Sequence, residues 1–264
     1  MNFNIIVPIK YVPDIEKVRF DIETGRIDRS SAEGEINPFD LNALEAAVRI
    51  KEKYGGFVTV ISMGPPPAEK ALRDALARGA DKAILLSDIK FAGADTLATS
   101  YAISCAIGKL GSYDLVICGE KTVDGDTGQV GAEIAEFLGV PHSYYVSEIR
   151  DISKKNIKVV SDFGDAYYLV ELELPALISV TKDINSPRLP TFKDKMKARR
   201  AEITVWKADV LADVCDIDRF GFKGSPTAVS KVIIPKEHVK ECCFIKEEEA
   251  VDKIVEVLKE IGVV

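Results

Sequence analysis

Short apolar segments alternate with helix-forming segments over the first 150 residues, and this alternation limits the possible folds more than any other feature. The apolar segments have the length of buried strands and read FNIIVPI, FVTVIS, KAILLS and YDLVIC. The segments between them, such as NPFDLNALEAAVRIKEKYGG, place apolar residues at helical spacing. Such alternation with short connections predicts an α/β fold, with a parallel sheet covered by helices on both faces.

Composition and charge exclude several classes of protein. The 264 residues carry a net charge of −7 with both signs mixed along the chain, which argues against a nucleic-acid-binding protein. No apolar run approaches the roughly 20 residues of a membrane span, and the start, MNFNIIVPIK, lacks the features of a signal peptide. Five cysteines and two histidines show no metal-site spacing. We therefore expect a cytoplasmic protein without metal, nucleic acid or membrane insertion.

Two regions depart from the alternation. VRFDIETGRIDR, around Thr24-Gly25, predicts a β-hairpin near residues 18–30, either a flap over a site or an excursion without function. After residue 150, NIKVVSDFGDAYYLVELEL predicts antiparallel strands with a turn at Gly164-Asp165, followed by a buried strand at Ala176–Thr181. The predicted α/β domain therefore spans residues 1–185.

Residues 201–264 cannot form an apolar core by themselves. A proline-punctuated loop at residues 186–200 leads into a basic segment, and residues 201–264 end in the amphipathic pattern EEEAVDKIVEVLKEIG. Such a tail must pack on its own domain or on another chain. For residues 201–264 both alternatives stay open, and packing on another chain would make this segment an arm.

The segment CGEKTVDGDTGQVG follows one predicted strand and opens the next helix, which predicts an anion site. At the carboxyl end of a parallel strand, the loop and the first helical turn face the ligand crevice, and their free N–H groups attract phosphate. The glycines at positions 125, 128 and 131 allow positive φ or close approach of a ligand. Thr127 and Gln129 can donate hydrogen bonds.

The two aspartates of this segment need another explanation, because carboxylates repel phosphate. Asp126 is expected to be the helix N-cap, and Asp124 can accept from loop amides or from a ribose hydroxyl. The alternative is a glycine-rich turn, capped by Asp126, that binds nothing.

Other loops meet the same edge, and together they predict a nucleotide crevice. For Asn37 and Asp40, ordinary helix capping is the alternative. The candidate cofactor-binding residues are Pro8, Ile9, Lys10, Asn37, Asp40, Ser62, Met63, Gly64, Cys118, Gly119, Asp124, Gly125, Asp126, Thr127, Gly128, Gln129 and Val130.

Motifs that the chain lacks narrow the chemistry. We find no G-x-G-x-x-G after the first strand, no P-loop and no G-x-S-x-G, which excludes standard dinucleotide dehydrogenases, P-loop NTPases and α/β-hydrolases. No catalytic group is evident, so the expected ligand is a cofactor that performs the chemistry itself.

Over essentially its whole length the chain resembles the β subunit of electron transfer flavoprotein. The matching segments are VPIKYVPD, NPFDLNALEAAVRIKE, VISMGPPPAEKALRDALARGADKAILLSD, GADTLATSYAIS, CGEKTVDGDTGQVGAEIAEFLGVP, LELPALISVTKDINSPRLPTFKDKMKARR and LKEIG. The resemblance implies a flavodoxin-like nucleotide-binding domain and a heterodimer whose α subunit is wrapped by the C-terminal arm.

The resemblance leaves two cofactors for this subunit. Housekeeping members hold AMP here and FAD on the α subunit, whereas electron-bifurcating members hold a second FAD in the AMP position. VDGDTGQVG resembles the bifurcating form, because Gly125 and Gly128 leave room for a flavin diphosphate. That branch implies hydride transfer from NADH to this FAD. One electron then passes to ferredoxin or flavodoxin, and the other passes through the α-subunit FAD to an acyl-CoA or similar dehydrogenase.

INSPRLPTFKDKMKARR matches the loop with which the family docks partner dehydrogenases, and Phe192 stands where a leucine is usual. The implied docking residues are Leu189, Pro190, Phe192, Lys195, Lys197, Arg199 and Arg200. The alternatives are that Phe192 packs on its own domain and that the cations are merely solvated.

The sequence argues against two alternatives outside the family. An adenylating enzyme on a related fold needs a pyrophosphate loop where this chain has VPIKYVPD, and a stress-type nucleotide-binding module lacks an extension such as LPTFKDKMKARR.

Overall fold

The computed structural model of the chain describes residues 1–13, 19–21, 26–28, 34–230 and 244–263. The chain divides into two units, residues 1–230 and 231–264. The strands are β1 (Phe3–Pro8), β2 (Tyr11–Pro13), β3 (Arg19–Asp21), β4 (Arg26–Asp28), β5 (Gly34–Ile36), β6 (Gly56–Met63), β7 (Lys82–Leu86), β8 (Leu115–Gly119), β9 (His142–Ile152), β10 (Asn156–Asp162), β11 (Tyr167–Glu173), β12 (Ala176–Val180) and β13 (Thr204–Trp206). The helices are α1 (Pro38–Tyr54), α2 (Glu69–Ala77), α3 (Thr96–Leu110), α4 (Val130–Leu138), α5 (Phe192–Arg200), α6 (Gly221–Gly224) and α7 (Ala250–Glu260).

Nine strands form one sheet in the order β11-β10-β9-β12-β8-β1-β6-β7-β13. β1 pairs in parallel with β6 on one side and with β8 on the other, and β12 pairs in parallel with β8. From β1 the chain moves outward to β6 and β7, then returns to the opposite side of β1 at β8. The strand order therefore reverses between β1 and β8, and such a reversal opens a ligand crevice at the carboxyl ends of these strands.

Alternate side chains of the central strands supply two separate cores. Phe3, Ile5 and Val7 pack in the core that α1 and α2 cover, whereas Ile6 of the same strand packs in the core that α3 and α4 cover. Each fully buried aliphatic or aromatic side chain contributes about 1.5–3 kcal/mol to folding. The predicted α/β fold, with helices on both faces of the sheet, is confirmed.

An antiparallel extension adds three strands beyond β12. β10 pairs antiparallel with both β9 and β11, and β9 pairs in parallel with β12. The predicted turn is present, because Phe163 N donates to Ala166 O and Gly164 has a φ of 87°. β9 was not among the predicted strands.

Residues after position 200 continue the first unit. β13 pairs in parallel with β7, and Ala208, Leu211 and Phe220 are buried in the α3/α4 core. The predicted arm therefore starts within the sheet. Its last helix, α7, forms in the second unit as the sequence indicates.

The long connection after β1 contains two small antiparallel pairs, β2 with β5 and β3 with β4. β3 and β4 lie within the region of the predicted hairpin, whose turn at Thr24-Gly25 lies outside the described residues. Among the described helices, none has the length and apolar character to cross a bilayer.

Candidate functional site

The candidate site lies where β1 and β8 end and α1 begins, at the reversal of the strand order. Lys10 follows β1, Asn37 and Asp40 lie at the start of α1, and Gly119 ends β8. The structure thus brings together residues that are far apart in the sequence, as predicted. The loop between β8 and α4, residues 120–129, borders the same point.

Asp40 joins the ends of two strands to helix α1. The side chain is buried, and its Oδ2 accepts a hydrogen bond from Lys10 N at 2.8 Å. A Cβ on Gly119 would lie 2.5 Å from Asp40 Oδ1, so only glycine permits this approach of α1 to β8. Burial raises the pKa of Asp40 to about 7, although the hydrogen bond from Lys10 acts in the opposite direction.

Asn37 fixes the loop after β8 instead of capping α1. Its Nδ2 donates to Lys121 O at 2.8 Å, and its Oδ1 accepts from Val123 N at 3.2 Å. The side chain makes no capping bond, so the capping alternative is wrong for this residue. An amide has both a donor and an acceptor, and here the two together hold backbone from a distant loop.

Asp126 is not the N-cap of α4, contrary to the prediction. The helix begins only at Val130, and Asp126 adopts a φ of 52° within the loop. Its carboxylate forms an ion pair with Lys121 at 2.9 Å instead. Short polar residues tolerate the left-handed conformation, and Asp126 uses it to turn the chain three residues before Gln129, which precedes the helix.

Gly128 also has a positive φ, 63°, as its place in the loop predicts, whereas Gly125 does not. Asp124 forms an ion pair with Lys10, Nζ to Oδ1, at 2.8 Å. With Asp126 paired to Lys121, both aspartates of the loop have cationic partners, which reduces their repulsion of an anion. The two aspartates therefore repel a phosphate less strongly than the sequence alone implies.

A run of open amides follows these ion pairs. Within the described part of the chain, four successive backbone N–H groups have no acceptor, those of Thr127, Gly128, Gln129 and Val130. They lie at the N-terminus of α4, where the helix dipole adds partial positive charge. Free amides and a helix N-terminus are the usual donor set for a phosphate or diphosphate.

Gly131 has a packing function rather than a ligand-facing one. A Cβ there would lie 2.8 Å from the Tyr144 hydroxyl, which accepts a hydrogen bond from Ala132 N at 3.0 Å. Burial raises the pKa of Tyr144 to about 12, so the hydroxyl stays protonated. Tyr144 supports the first turn of α4 and was not recognised from the sequence.

Several predicted residues shape the site without lining it. The Ser62 hydroxyl is buried and has no hydrogen-bond partner among the described residues. The Thr181 hydroxyl, which follows β12, is also buried and without a partner among these residues. Both hydroxyls are closed off from the surface, so the fit to a nucleotide rests on the open amides. Burial likewise raises the pKa of the Cys118 thiol. Besides Asn37 and Asp40, the predicted residues that are buried are Pro8, Ile9, Ser62 and Cys118, and Met63 and Gly64 are half-buried.

The predicted docking residues lie elsewhere on the first unit, and part of their segment is helical. Thr191 and Asp194 form a capping box that starts α5, so residues 192–200 are a helix and not a loop. Leu189 and Phe192 are 84% and 80% exposed. The alternative that Phe192 packs on its own domain is therefore wrong. The remaining members are the exposed cations Lys195, Lys197, Arg199 and Arg200 and the half-buried Pro190.

Comparison with known proteins finds a family model and several relatives that match most of the chain. The model for the electron transfer flavoprotein domain matches residues 24–211. The electron transfer flavoprotein subunit beta of Clostridium acetobutylicum is 46% identical over 230 residues, 86% of each chain. Its namesake from Thermoanaerobacterium thermosaccharolyticum is 46% identical over 255 residues, 96% of each chain. The caffeyl-CoA reductase-Etf complex subunit CarD of Acetobacterium woodii is 41% identical over 232 residues, 88% of this chain and 87% of that one.

Proposed function

The chain belongs to the electron transfer flavoprotein family, as a β subunit, and we propose that it holds FAD in the crevice between β1 and β8. The observation that carries the proposal is the run of four open amides at the N-terminus of α4. Four amides and a helix dipole suit a diphosphate, which has more oxygens to satisfy than a monophosphate. AMP, with a single phosphate, is the alternative ligand.

The residues of this chain bind and orient the cofactor. The amides of residues 127–130 would hold its diphosphate, with the Thr127 hydroxyl as a further donor. Asn37 holds the loop by two hydrogen bonds, and Asp40 holds the end of β1, so the donors are positioned before the ligand binds. When bound, FAD supplies hydride acceptance and one-electron transfer, which require no acid, base or nucleophile from the protein.

The proposed complex contains further components. We propose an α subunit with its own FAD, NADH as the hydride donor, and ferredoxin or flavodoxin as one electron acceptor. The second acceptor is a flavin dehydrogenase that docks on the segment around Phe192. The name of the Acetobacterium woodii relative, which places it in a complex with a reductase, supports such a partner. In this arrangement the chain oxidises NADH only as part of the complex.

Counting nucleotides in the purified heterodimer tests the proposed cofactor. The chain is co-expressed with its α subunit, the complex is denatured, and the released nucleotides are separated and quantified. We expect two FAD and no AMP for each heterodimer. One FAD with one AMP would show that this subunit holds a structural nucleotide and would remove electron bifurcation from the proposal.

Replacing Phe192 with alanine tests the proposed docking. Truncation of an aromatic anchor at the centre of an interface costs about 2 kcal/mol, so we expect the KM for the partner dehydrogenase to rise roughly 30-fold. The FAD content of the heterodimer should not change, because Phe192 lies outside the crevice. Phe222→Ala is the matched control, since Phe222 is also exposed, at 69%. An equal rise in KM for both variants, or none for Phe192→Ala, would contradict the docking role.

A further inference from the structure

We propose that Arg188 is a positioning residue that clamps the docking segment, residues 185–200, onto helix α1 and so fixes the orientation of Leu189 and Phe192. The inference rests on the proposed docking function and adds to it a residue whose side chain binds α1. It follows from how the described residues hold this segment.

Arg188 spans two glutamates that lie seven residues, or about two turns, apart on α1. Its Nε donates to Glu45 Oε2 at 2.8 Å, and its Nη2 donates to Glu52 Oε2 at 2.9 Å. Its backbone N also donates to Glu45 Oε2, at 3.2 Å. The planar guanidinium presents its donors in a fixed fork, and engaging two carboxylates at once defines both its position and its orientation.

The inner end of this clamp is shielded from water. Glu45 is only 5% exposed, and it also accepts from Arg49 Nε at 2.6 Å. Burial alone would raise the pKa of Glu45, but the hydrogen bonds from Arg188 and Arg49 outweigh it and hold that pKa below its ordinary value. The carboxylate therefore stays ionised near neutral pH. A shielded ion pair with several hydrogen bonds restrains its partners far more than an exposed pair does.

Other contacts hold the backbone on both sides of the exposed docking side chains. Arg78 Nη1 donates to Arg188 O at 2.7 Å. Asn42 and Asn185 exchange hydrogen bonds at 2.8 and 3.0 Å, from each amide to the other residue's carbonyl oxygen. Arg73 Nη1 donates to Ala198 O at 2.9 Å, near the end of α5. The segment is thus tied to α1 and α2 at its start, beside Leu189 and at its end.

This anchoring explains how apolar side chains can be both exposed and oriented. Leu189 directly follows Arg188, and Phe192 begins the helix capped by Thr191. A binding segment that is ordered before the encounter loses less conformational entropy on binding. Without the clamp, the docking side chains would be presented by a backbone with more freedom, and the partner would bind less tightly while electron transfer in the bound complex would proceed as before.

The test compares Arg188→Met with Arg150→Met in the heterodimer. Both changes remove one cation, and Arg150 forms its ion pair, among the described residues, with Glu148 on its own strand. Hydrogen exchange of the peptide that covers residues 186–192 reports on the clamp, and kinetics with the partner dehydrogenase report on docking. For Arg188→Met we expect exchange and KM each to rise about tenfold, with kcat and FAD content unchanged. Arg188→Lys, which can reach only one carboxylate at a time, should recover part of the loss.

The outcomes separate the clamp from the docking function. If exchange or KM stays at the wild-type value in Arg188→Met while Phe192→Ala raises KM, the clamp is overturned and docking stands. If Phe192→Ala also leaves KM unchanged, the docking function fails and the clamp, as a docking device, fails with it. If Arg188→Met does not yield a folded heterodimer, Glu52→Gln is used instead, because it removes the ion pair of Arg188 with the exposed glutamate. The proposal then requires smaller rises in both hydrogen exchange and KM.

Discussion

Replacing Gly119 with alanine is expected to destabilise the protein by about 3 kcal/mol and to lower its melting temperature by about 9 °C. The new Cβ would lie 2.5 Å from Asp40 Oδ1 and 2.7 Å from the carbonyl carbon of Phe39. The Asp40 side chain is buried and held by Lys10 N, and the Phe39 atom belongs to the backbone, so α1 itself must shift. Asn37 would move with it and release the loop after β8, and we expect the heterodimer to lose the nucleotide of this subunit as well.

Gly108→Ala is the matched control, because nothing lies within 4 Å of a Cβ at that position of α3. There alanine improves helix propensity, and we expect a gain of about 0.5–1 kcal/mol. Thermal unfolding and nucleotide content are measured for both variants. If Gly119→Ala kept wild-type stability and its full nucleotide content, the close packing of α1 on β8 would not be required for either.

Replacing Asp40 with asparagine is expected to change how stability depends on pH. In the folded protein the carboxyl group keeps its proton up to about pH 7, because burial raises its pKa from the ordinary value of 3.8. The unfolded chain loses that proton near pH 4. The contribution of Asp40 to the free energy of unfolding is therefore fully present below pH 4 and is lost as the pH rises through 7, a fall of about 3 kcal/mol between pH 5 and 8.

Asparagine is uncharged throughout this range and cannot show that loss. The free energy of unfolding is measured in urea at pH 5 and at pH 8. Relative to the wild type, we expect that of Asp40→Asn to be about 3 kcal/mol higher at pH 8 than at pH 5. Asp213→Asn is the control for which no change is expected between pH 5 and pH 8, because a hydrogen bond from Lys109 lowers the pKa of Asp213 and its contribution to stability is lost only below about pH 4. Parallel pH profiles for wild type and Asp40→Asn would contradict the buried, protonated state.

The parallel core of the fold could be predicted because its information is local. Each central strand is a continuous apolar run and each helix has its own spacing, so β1, β6, β7 and β8 could all be recognised without knowledge of their neighbours. The meeting of their carboxyl ends then follows from the geometry of parallel sheets. The same reasoning brought Lys10, Asn37 and Gly119 to one edge of the sheet.

Features that depend on distant contacts could not be predicted in this way. Asn37 has the sequence context of a helix cap, and only the folded loop after β8 offers its amide two better partners. Asp126 likewise precedes a helical pattern, but the pairing with Lys121 and the late start of α4 place it outside the helix. Strand β9 spaces its aliphatic residues Val146, Ile149 and Ile152 three apart instead of alternating them, so its assignment depends on pairing with β10 and β12.

The position of β13 determines where the first unit can be divided. β13 covers the outer side of β7, whose residues Ala83–Leu86 are all buried. A chain that stopped at residue 200 would leave β7 as an uncovered apolar edge with free amides and carbonyls. Such an edge is a template for pairing with other molecules and invites aggregation. The three residues of β13 cover this edge, so the start of the arm is needed to complete the sheet of the first unit.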